Sequence, residues 1–263
     1  MENENNMETA DTNTTIKEPT TRKQVIEINN LRKSFGNLRV LKDLTLSLFD
    51  NENLVVLGKS GSGKSVLIKC IVRLLWPDQG TIKVFGENVS DLNTRELALL
   101  RQKIGFLFQS GALYDSMTIK QNLEFPLKRL KKNLSLKEMD EKIAEVLENV
   151  GLADTMNKMP SELSGGMRKR ASLARTVVVD PMIMLYDEPT TGLDPVTSDE
   201  ISYLINDVQK KYKTSSIIIT HDIECARATG DRIIMLKDGE VYLEGDIDEF
   251  NNSKDELIKS FFK

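Results

Sequence analysis

The residues best suited to chemistry are Gly58-Lys59-Ser60-Gly61-Ser62-Gly63-Lys64-Ser65, a glycine, four residues, then Gly-Lys-Ser. Glycines in such a run let backbone N–H groups turn inward around anionic oxygens, at a helix N-terminus whose dipole favours negative charge. Lys64 would reach the β- and γ-phosphates of a nucleotide, and the Ser65 hydroxyl would help hold Mg²⁺. A Gly/Ser turn that binds nothing would account for the glycines but not for their setting. Leu54-Val55-Val56-Leu57 reads as a buried strand feeding the loop, and Val66 to Val72 as the helix leaving it. The chain is expected to bind a nucleoside triphosphate.

Two other stretches carry chemistry. Ile183-Met184-Leu185-Tyr186-Asp187-Glu188 is an apolar strand ending in two carboxylates. Beside a phosphate loop, the first acid is placed to support Mg²⁺ and the second to take a proton from an attacking water. Alone, the pair would read as surface acids at a strand end. Leu163-Ser164-Gly165-Gly166-Met167, ahead of Arg168-Lys169-Arg170, is a second glycine-opened helix N-terminus and so a second anion site. On its own it would read as a loop-to-helix turn capped by Ser164.

The elements that must position these residues follow from hydrophobic period. Strands are expected at Val25–Ile28, Val40–Phe49, Leu54–Leu57, Thr81–Phe85, Ile104–Phe108, Met182–Tyr186, Ser216–Ile219, Arg232–Leu236 and Glu240–Leu243. From Met117 to Val179 the chain turns helical, with Met139, Ile143, Val146, Leu147 and Val150 at helical spacing. A further helix carries Ile201, Leu204, Ile205 and Val208 on one face. The reading is an α/β core interrupted by a helical insert over about 109–180. Residues 1–24 are Asn-, Thr- and Glu-rich and are expected to be a disordered tail. Residues 251–263 form a C-terminal tail in which Leu257, Ile258, Phe261 and Phe262 could make an amphipathic helix against the body or a partner.

Composition narrows the classes. The 263 residues are 40% hydrophobic and 29% charged, enough apolar material for a core. A net charge of −4 offers no basic field for nucleic acid, so no nucleic-acid partner is expected. No apolar run is long enough to span a bilayer, and the N-terminus lacks the pattern of a signal peptide, which gives a cytoplasmic expectation. The two cysteines, Cys70 and Cys225, read as buried small hydrophobes, and one histidine leaves no His-rich metal cluster. The run Lys128 to Lys132 reads as a solvated face.

The order of these motifs over about 25–250 resembles the ATP-binding cassette (ABC) ATPases. The resemblance implies a P-loop NTPase fold with a RecA-like core, an antiparallel β subdomain and a helical signature subdomain, using ATP and Mg²⁺. Phe35, in Lys33-Ser34-Phe35-Gly36, resembles the aromatic that stacks on adenine, and Val40 the small apolar residue beside it. With them, Gly58 through Val66 would bind ATP. Gln109 resembles the Q-loop glutamine that senses Mg²⁺ and the γ-phosphate. His221 resembles the switch histidine. Lys64, Gln109, Glu188 and His221 form the implied catalytic set, with Ser65, Gln109 and Asp187 at the metal. Ser164, Gly165, Gly166 and the D-loop residue Asp194, in Thr191-Gly192-Leu193-Asp194, would act on the nucleotide of a second copy across a head-to-tail dimer. Three positions depart from the family's habit. Val66 stands where Thr is usual, which implies weaker ATP affinity; Lys59 replaces a common proline; and Met167 replaces a frequent glutamine.

Phe108-Gln109-Ser110-Gly111-Ala112-Leu113-Tyr114 and Met167 resemble one branch, the MlaF-like ATPases of MCE-type lipid transporters. That implies an integral membrane permease, an MCE-domain lipid-binding protein, and a peripheral place at the cytoplasmic face of the inner membrane. Residues 110–123 would help form the groove receiving the permease. The alternatives are another cargo, such as solute import or lipoprotein release, or a non-transport ABC protein acting on ribosomes or DNA.

Overall fold

Alternate residues of the central strands enter two different cores. A computed structural model describes residues 22–131 and 133–262. Its six-stranded sheet has the order β10-β9-β3-β8-β7-β6, built from β3 (Asn53–Leu57), β6 (Ile104–Leu107), β7 (Ile183–Asp187), β8 (Ser215–Thr220), β9 (Arg232–Lys237) and β10 (Glu240–Gly245). All neighbours pair in parallel except β10, which runs antiparallel at the edge. Strands β3, β7 and β8 are buried along their whole length, as a parallel sheet covered on both faces requires.

On one face, Leu54, Val56, Ile183, Leu185, Ile217 and Ile219 pack with α1 (Lys64–Ile71), α2 (Thr94–Gln102) and a second sheet. That sheet is antiparallel, β2-β1-β4-β5, from β1 (Gln24–Phe35), β2 (Leu38–Phe49), β4 (Gln79–Val84) and β5 (Glu87–Asn88). On the other face, Val55, Leu57, Met184, Tyr186 and Ile218 join the helical part. This comprises α3 (Ile119–Leu130), α4 (Leu136–Asn149), α5 (Gly165–Val177), α6 (Pro195–Tyr212) and α7 (Ile223–Thr229). The antiparallel sheet and the helices between β6 and β7 are thus set on a largely parallel core, the arrangement that the resemblance implies.

The structure adds to the sequence reading in three places. Helix α2 was not anticipated; Asn93 caps it and Glu96 returns a bond to the Asn93 N–H. The C-terminal segment contains α8 (Ile247–Asn251) and α9 (Glu256–Phe262), with Phe250 and Ile258 buried in the main core and Phe261 and Phe262 packed against it. Of the N-terminal tail, residues 1–21 lie outside the described residues, and Gln24 already belongs to β1. Lys132 and Lys263 also lie outside them. Cys70 and Cys225 are free and buried, with burial pushing both thiols up to about 11. Among the described residues no group of His, Cys, Asp and Glu is arranged to hold a metal by itself, and no helix is long and apolar enough to cross a membrane.

Candidate active site

Parallel strands deliver their C-terminal ends to one edge of a sheet, and the chemistry collects there. β3 ends in the phosphate loop, β6 leads to Gln109, β7 ends at Asp187 and Glu188, and β8 leads to His221. A cleft of about 500 Å³ is lined by Phe35, Val40, Ser60, Gly61, Gly63, Lys64, Ser65, Val66, Gln109, Glu188 and His221. Residues drawn from four parallel strands and from the antiparallel sheet thus face one space.

Local geometry explains the loop. Gly63 has φ of +105°, and a Cβ there would lie 2.8 Å from Leu41 Cδ2 and 2.9 Å from the Val40 carbonyl, so only glycine fits. Gly63 precedes α1 directly and leaves the helix N-terminus without a side-chain cap, its N–H groups open to an anion. The Lys64 ammonium is buried and donates to the carbonyls of Gly58 at 2.6 Å and Lys59 at 3.2 Å. Burial pushes its pKa down, and the nearby Glu188 and Asp187 carboxylates oppose that shift. Lys64 Nζ lies 3.6 Å from Glu188 Oε1, an ion pair rather than a hydrogen bond.

Ser65 Oγ donates to Asp187 Oδ1 at 2.8 Å. A hydroxyl and a carboxylate side by side, next to a phosphate-binding turn, are the hard oxygen donors that Mg²⁺ prefers. The site fits that ion, with Ser65, Asp187 and the neighbouring Gln109 available to it.

Glu188 has a left-handed backbone, φ of +50°, held by its N–H donating to the Ile219 carbonyl at 2.9 Å. Its Oε2 receives Thr191 Oγ1 at 3.2 Å and lies 2.7 Å from His221 Nδ1. Against a carboxylate, Nδ1 carries the hydrogen and donates it to Glu188. His221 is exposed, with 58% of its side chain accessible, so it is no buried structural histidine. Phe35 is also exposed at the cleft mouth, with Lys33 Nζ 5.4 Å from its ring centroid.

The remaining sequence candidates lie apart from the cleft lining. Gly58 and Ser62 sit behind the loop, where a Cβ on Gly58 would be 2.6 Å from Ser62 Oγ. Lys59 faces away and lies 5.8 Å from the Phe261 ring centroid, so the C-terminal helix backs the phosphate loop. Ser164 caps α5 through Met167 N–H at 3.2 Å, and Asp194 caps α6 through Thr197 N–H at 3.1 Å. The two helix starts pack on each other: a Cβ on Gly166 would lie 2.5 Å from Thr197 Cγ2. Ser164, Gly165, Gly166 and Asp194 therefore form one patch separate from the cleft of the same chain.

Sequence reasoning missed two residues that hold the site together. Buried Asn122 accepts from Tyr114 N–H at 2.8 Å and donates to the carbonyls of Tyr114, Met117 and Thr118, which fixes the loop after Gln109. Buried Lys169 donates to the Gln109 carbonyl at 2.6 Å. Both partner sets are backbone groups, which no residue spacing reveals.

Residues 41–191 match the family model of the ABC transporter ATP-binding domain, more than half of the chain. The chain belongs to the ABC transporter ATPase family. It is 40% identical over 236 residues to a probable ribonucleotide transport ATP-binding protein of Mycobacterium tuberculosis (strain ATCC 25618 / H37Rv), covering 90% of this chain and 66% of that one. It is 35% identical over 231 residues to a methionine import ATP-binding protein of Brucella abortus (strain 2308), covering 88% and 62%. The chain thus spans just under two thirds of the length of these relatives. Among solved structures, the dimeric form of a bacterial ABC transporter cassette superposes with a TM-score of 0.77 at 34% identity, covering 84% of this chain and 98% of that one. A post-hydrolysis state of that cassette, bound to ADP and Pi, gives 0.76 at the same identity.

Proposed function

We propose that this ABC ATPase hydrolyses ATP in a head-to-tail dimer and drives a membrane permease that moves phospholipid or another lipid. The observation that carries the hydrolytic part is the convergence of Lys64, Ser65, Gln109, Asp187, Glu188 and His221 at one sheet edge, with the signature residues on a separate patch. In this reading Phe35 and Val40 hold the base, and the loop N–H groups with Lys64 hold the phosphates. Ser65, Asp187 and Gln109 would hold Mg²⁺, which when bound would supply charge neutralisation to the phosphates. The Glu188 carboxylate accepts the proton of the attacking water, and His221 orients that carboxylate and the γ-phosphate. Ser164 and Gly165 of the second copy complete the phosphate shell. Since one chain carries two half-sites, closure of the dimer around ATP and its opening after hydrolysis become the mechanical stroke.

The lipid assignment is supported by the branch-specific run Phe108 to Tyr114 and by Met167. In the structure that run is exposed in part and stabilised: Tyr114 packs edge-on against Phe125, their ring centroids 5.3 Å apart, beside a groove formed with Ser116, Met117, Gln121 and Lys128. An apolar rim with polar flanks suits a short helix of a permease. A second reading, import of a polar solute, is favoured by the transport activities named for the two relatives.

Two measurements separate these readings. Glu188→Gln should lower ATP turnover by at least about 10²-fold, the usual contribution of a positioned base, and a variant with the wild-type rate would remove Glu188 from that role. Tagged Glu188→Gln protein, purified with detergent-solubilised membranes, should then carry a permease and an MCE-domain protein. A permease arriving with a soluble binding protein would replace lipid by solute. Ribosomal or DNA-bound partners without a permease would overturn the transport reading.

A further inference from the structure

One stripe of α5, the signature helix, grips the loop that follows β6. Lys169 donates to the Gln109 carbonyl at 2.6 Å. One turn on, Ser172 lies under Gly111, where a Cβ would sit only 2.6 Å from Ser172 Oγ, and Gly111 has φ of +87°. A further turn on, Arg175 Nη1 donates to the Ala112 carbonyl at 3.1 Å and its guanidinium lies 5.0 Å from the Tyr114 ring centroid. Positions 169, 172 and 175 fall on one helix face, so the three contacts act as a unit.

Lys169 differs from the other two in reaching the catalytic edge itself. Its Nζ is also 3.5 Å from the Glu188 carbonyl, the residue with the left-handed backbone. Among the described residues no carboxylate lies within ion-pair distance of this ammonium, although it is buried. Burial holds its pKa below the ordinary lysine range, with Asp187 and Glu188 pulling the other way. A buried cation satisfied by carbonyls is costly for stability alone. Here its partners are the backbones of two residues that must be placed to within a fraction of an ångström for in-line attack.

We propose that Lys169 is a positioning residue for ATP hydrolysis, clamping the backbones of Gln109 and Glu188 to the signature helix so that sensing loop, base and signature move as one register. The inference rests on Glu188 being the base. It makes Lys169 the joint through which the partner copy's nucleotide, bound at Ser164 and Gly165, meets the catalytic edge of its own chain.

Lys169→Met tests this, because methionine keeps the length and apolar stem while removing charge and donors. The expected result is a kcat lowered at least tenfold, KM for ATP within twofold of wild type, and an unchanged thermal midpoint. Lys169→Arg should restore most of kcat, since it returns a cationic donor. Should Lys169→Met be recovered only unfolded, Lys169→Gln, measured in the same way, replaces it with the same expectation. A kcat within twofold of wild type would overturn the proposal, as would a loss of rate matched by an equal loss of folded protein. Glu188→Gln is assayed alongside. If it is inactive while Lys169→Met is fully active, the clamp is wrong and the base stands; if it is active, the base assignment fails and takes the clamp with it.

Discussion

Val66 is the residue whose chemistry departs most from its setting. It lines the nucleotide cleft directly after Ser65, at the first turn of α1, and offers a backbone N–H but no hydroxyl to a phosphate. Restoring the oxygen should add one hydrogen bond to a charged group, about 1.5 kcal/mol or roughly tenfold in affinity. Val66→Thr is therefore expected to lower Kd for ATP by that factor, read from nucleotide titration; an unchanged or higher Kd would mean that the hydroxyl turns back onto its own helix. The thiols give a second residue-scale test. Burial raises both Cys70 and Cys225 to about 11, against about 8.5 in an unfolded chain. A raised folded pKa means stability is fully present below about 8.5 and is lost as pH climbs through about 11. Native protein at pH 8 should leave both thiols unreacted with a disulfide reagent, and urea should expose two. At this scale the phosphate loop and the acidic pair were legible because each lies in a short run with its own backbone chemistry, whereas His221 came only from the family resemblance. Lys169 and Asn122 were not legible: Gln109 is 60 positions from Lys169, and nothing along the chain marks a carbonyl as an acceptor in waiting.

Elements were legible in proportion to their burial. β3 and β7 are apolar at nearly every position and β8 carries Ile217 to Ile219 at its centre, so all three could be placed to within a residue or two, whereas α2 is rich in charge and went unread despite its capping pair Asn93 and Glu96. Likewise, periodicity gave the C-terminal tail an apolar face but not its destination, because a helix of 7 residues packs equally well on a body or a partner until the fold is known. The polar part of the joint between the antiparallel sheet and the parallel core was also invisible, since it gathers on one arginine. Arg232 at the start of β9 donates to Glu52 through Nε at 2.8 Å and Nη2 at 3.0 Å, and to the Ser47 carbonyl and Glu244. Glu52 is only 3% exposed, so removing its partner strands a buried charge. Arg232→Met should cost about 3–5 kcal/mol by urea unfolding. The loss should shrink in the Arg232→Met/Glu52→Leu double variant, in which no buried charge is left unpaired and only the half-exposed Glu244 loses a partner. Equal losses in both would show that the arginine stem, rather than the ion pair, holds the joint.

At the scale of the whole molecule, the proposed separation of two half-sites sets how the protein is expected to behave. The cleft contains the phosphate loop, the base and the histidine, while Ser164, Gly165, Gly166 and Asp194 occupy a patch of their own. If hydrolysis needs both, a lone chain binds ATP without turning it over. Specific activity should then rise with protein concentration and level off once dimers dominate. The ATP dependence should be sigmoidal, with a Hill coefficient above 1 and bounded by about 2 for two coupled sites. Glu188→Gln, expected to bind without hydrolysing, should shift to a dimer on gel filtration in ATP and not in ADP if the γ-phosphate is what reaches the signature of the second copy. Lowering the ATP affinity, as Val66 is argued to do, should move the midpoint of that shift and leave its sigmoidal form intact. Val66→Thr would accordingly dimerise at lower ATP. A specific activity independent of protein concentration, with hyperbolic ATP dependence, would mean that one chain holds a complete site, and the signature patch would need another role.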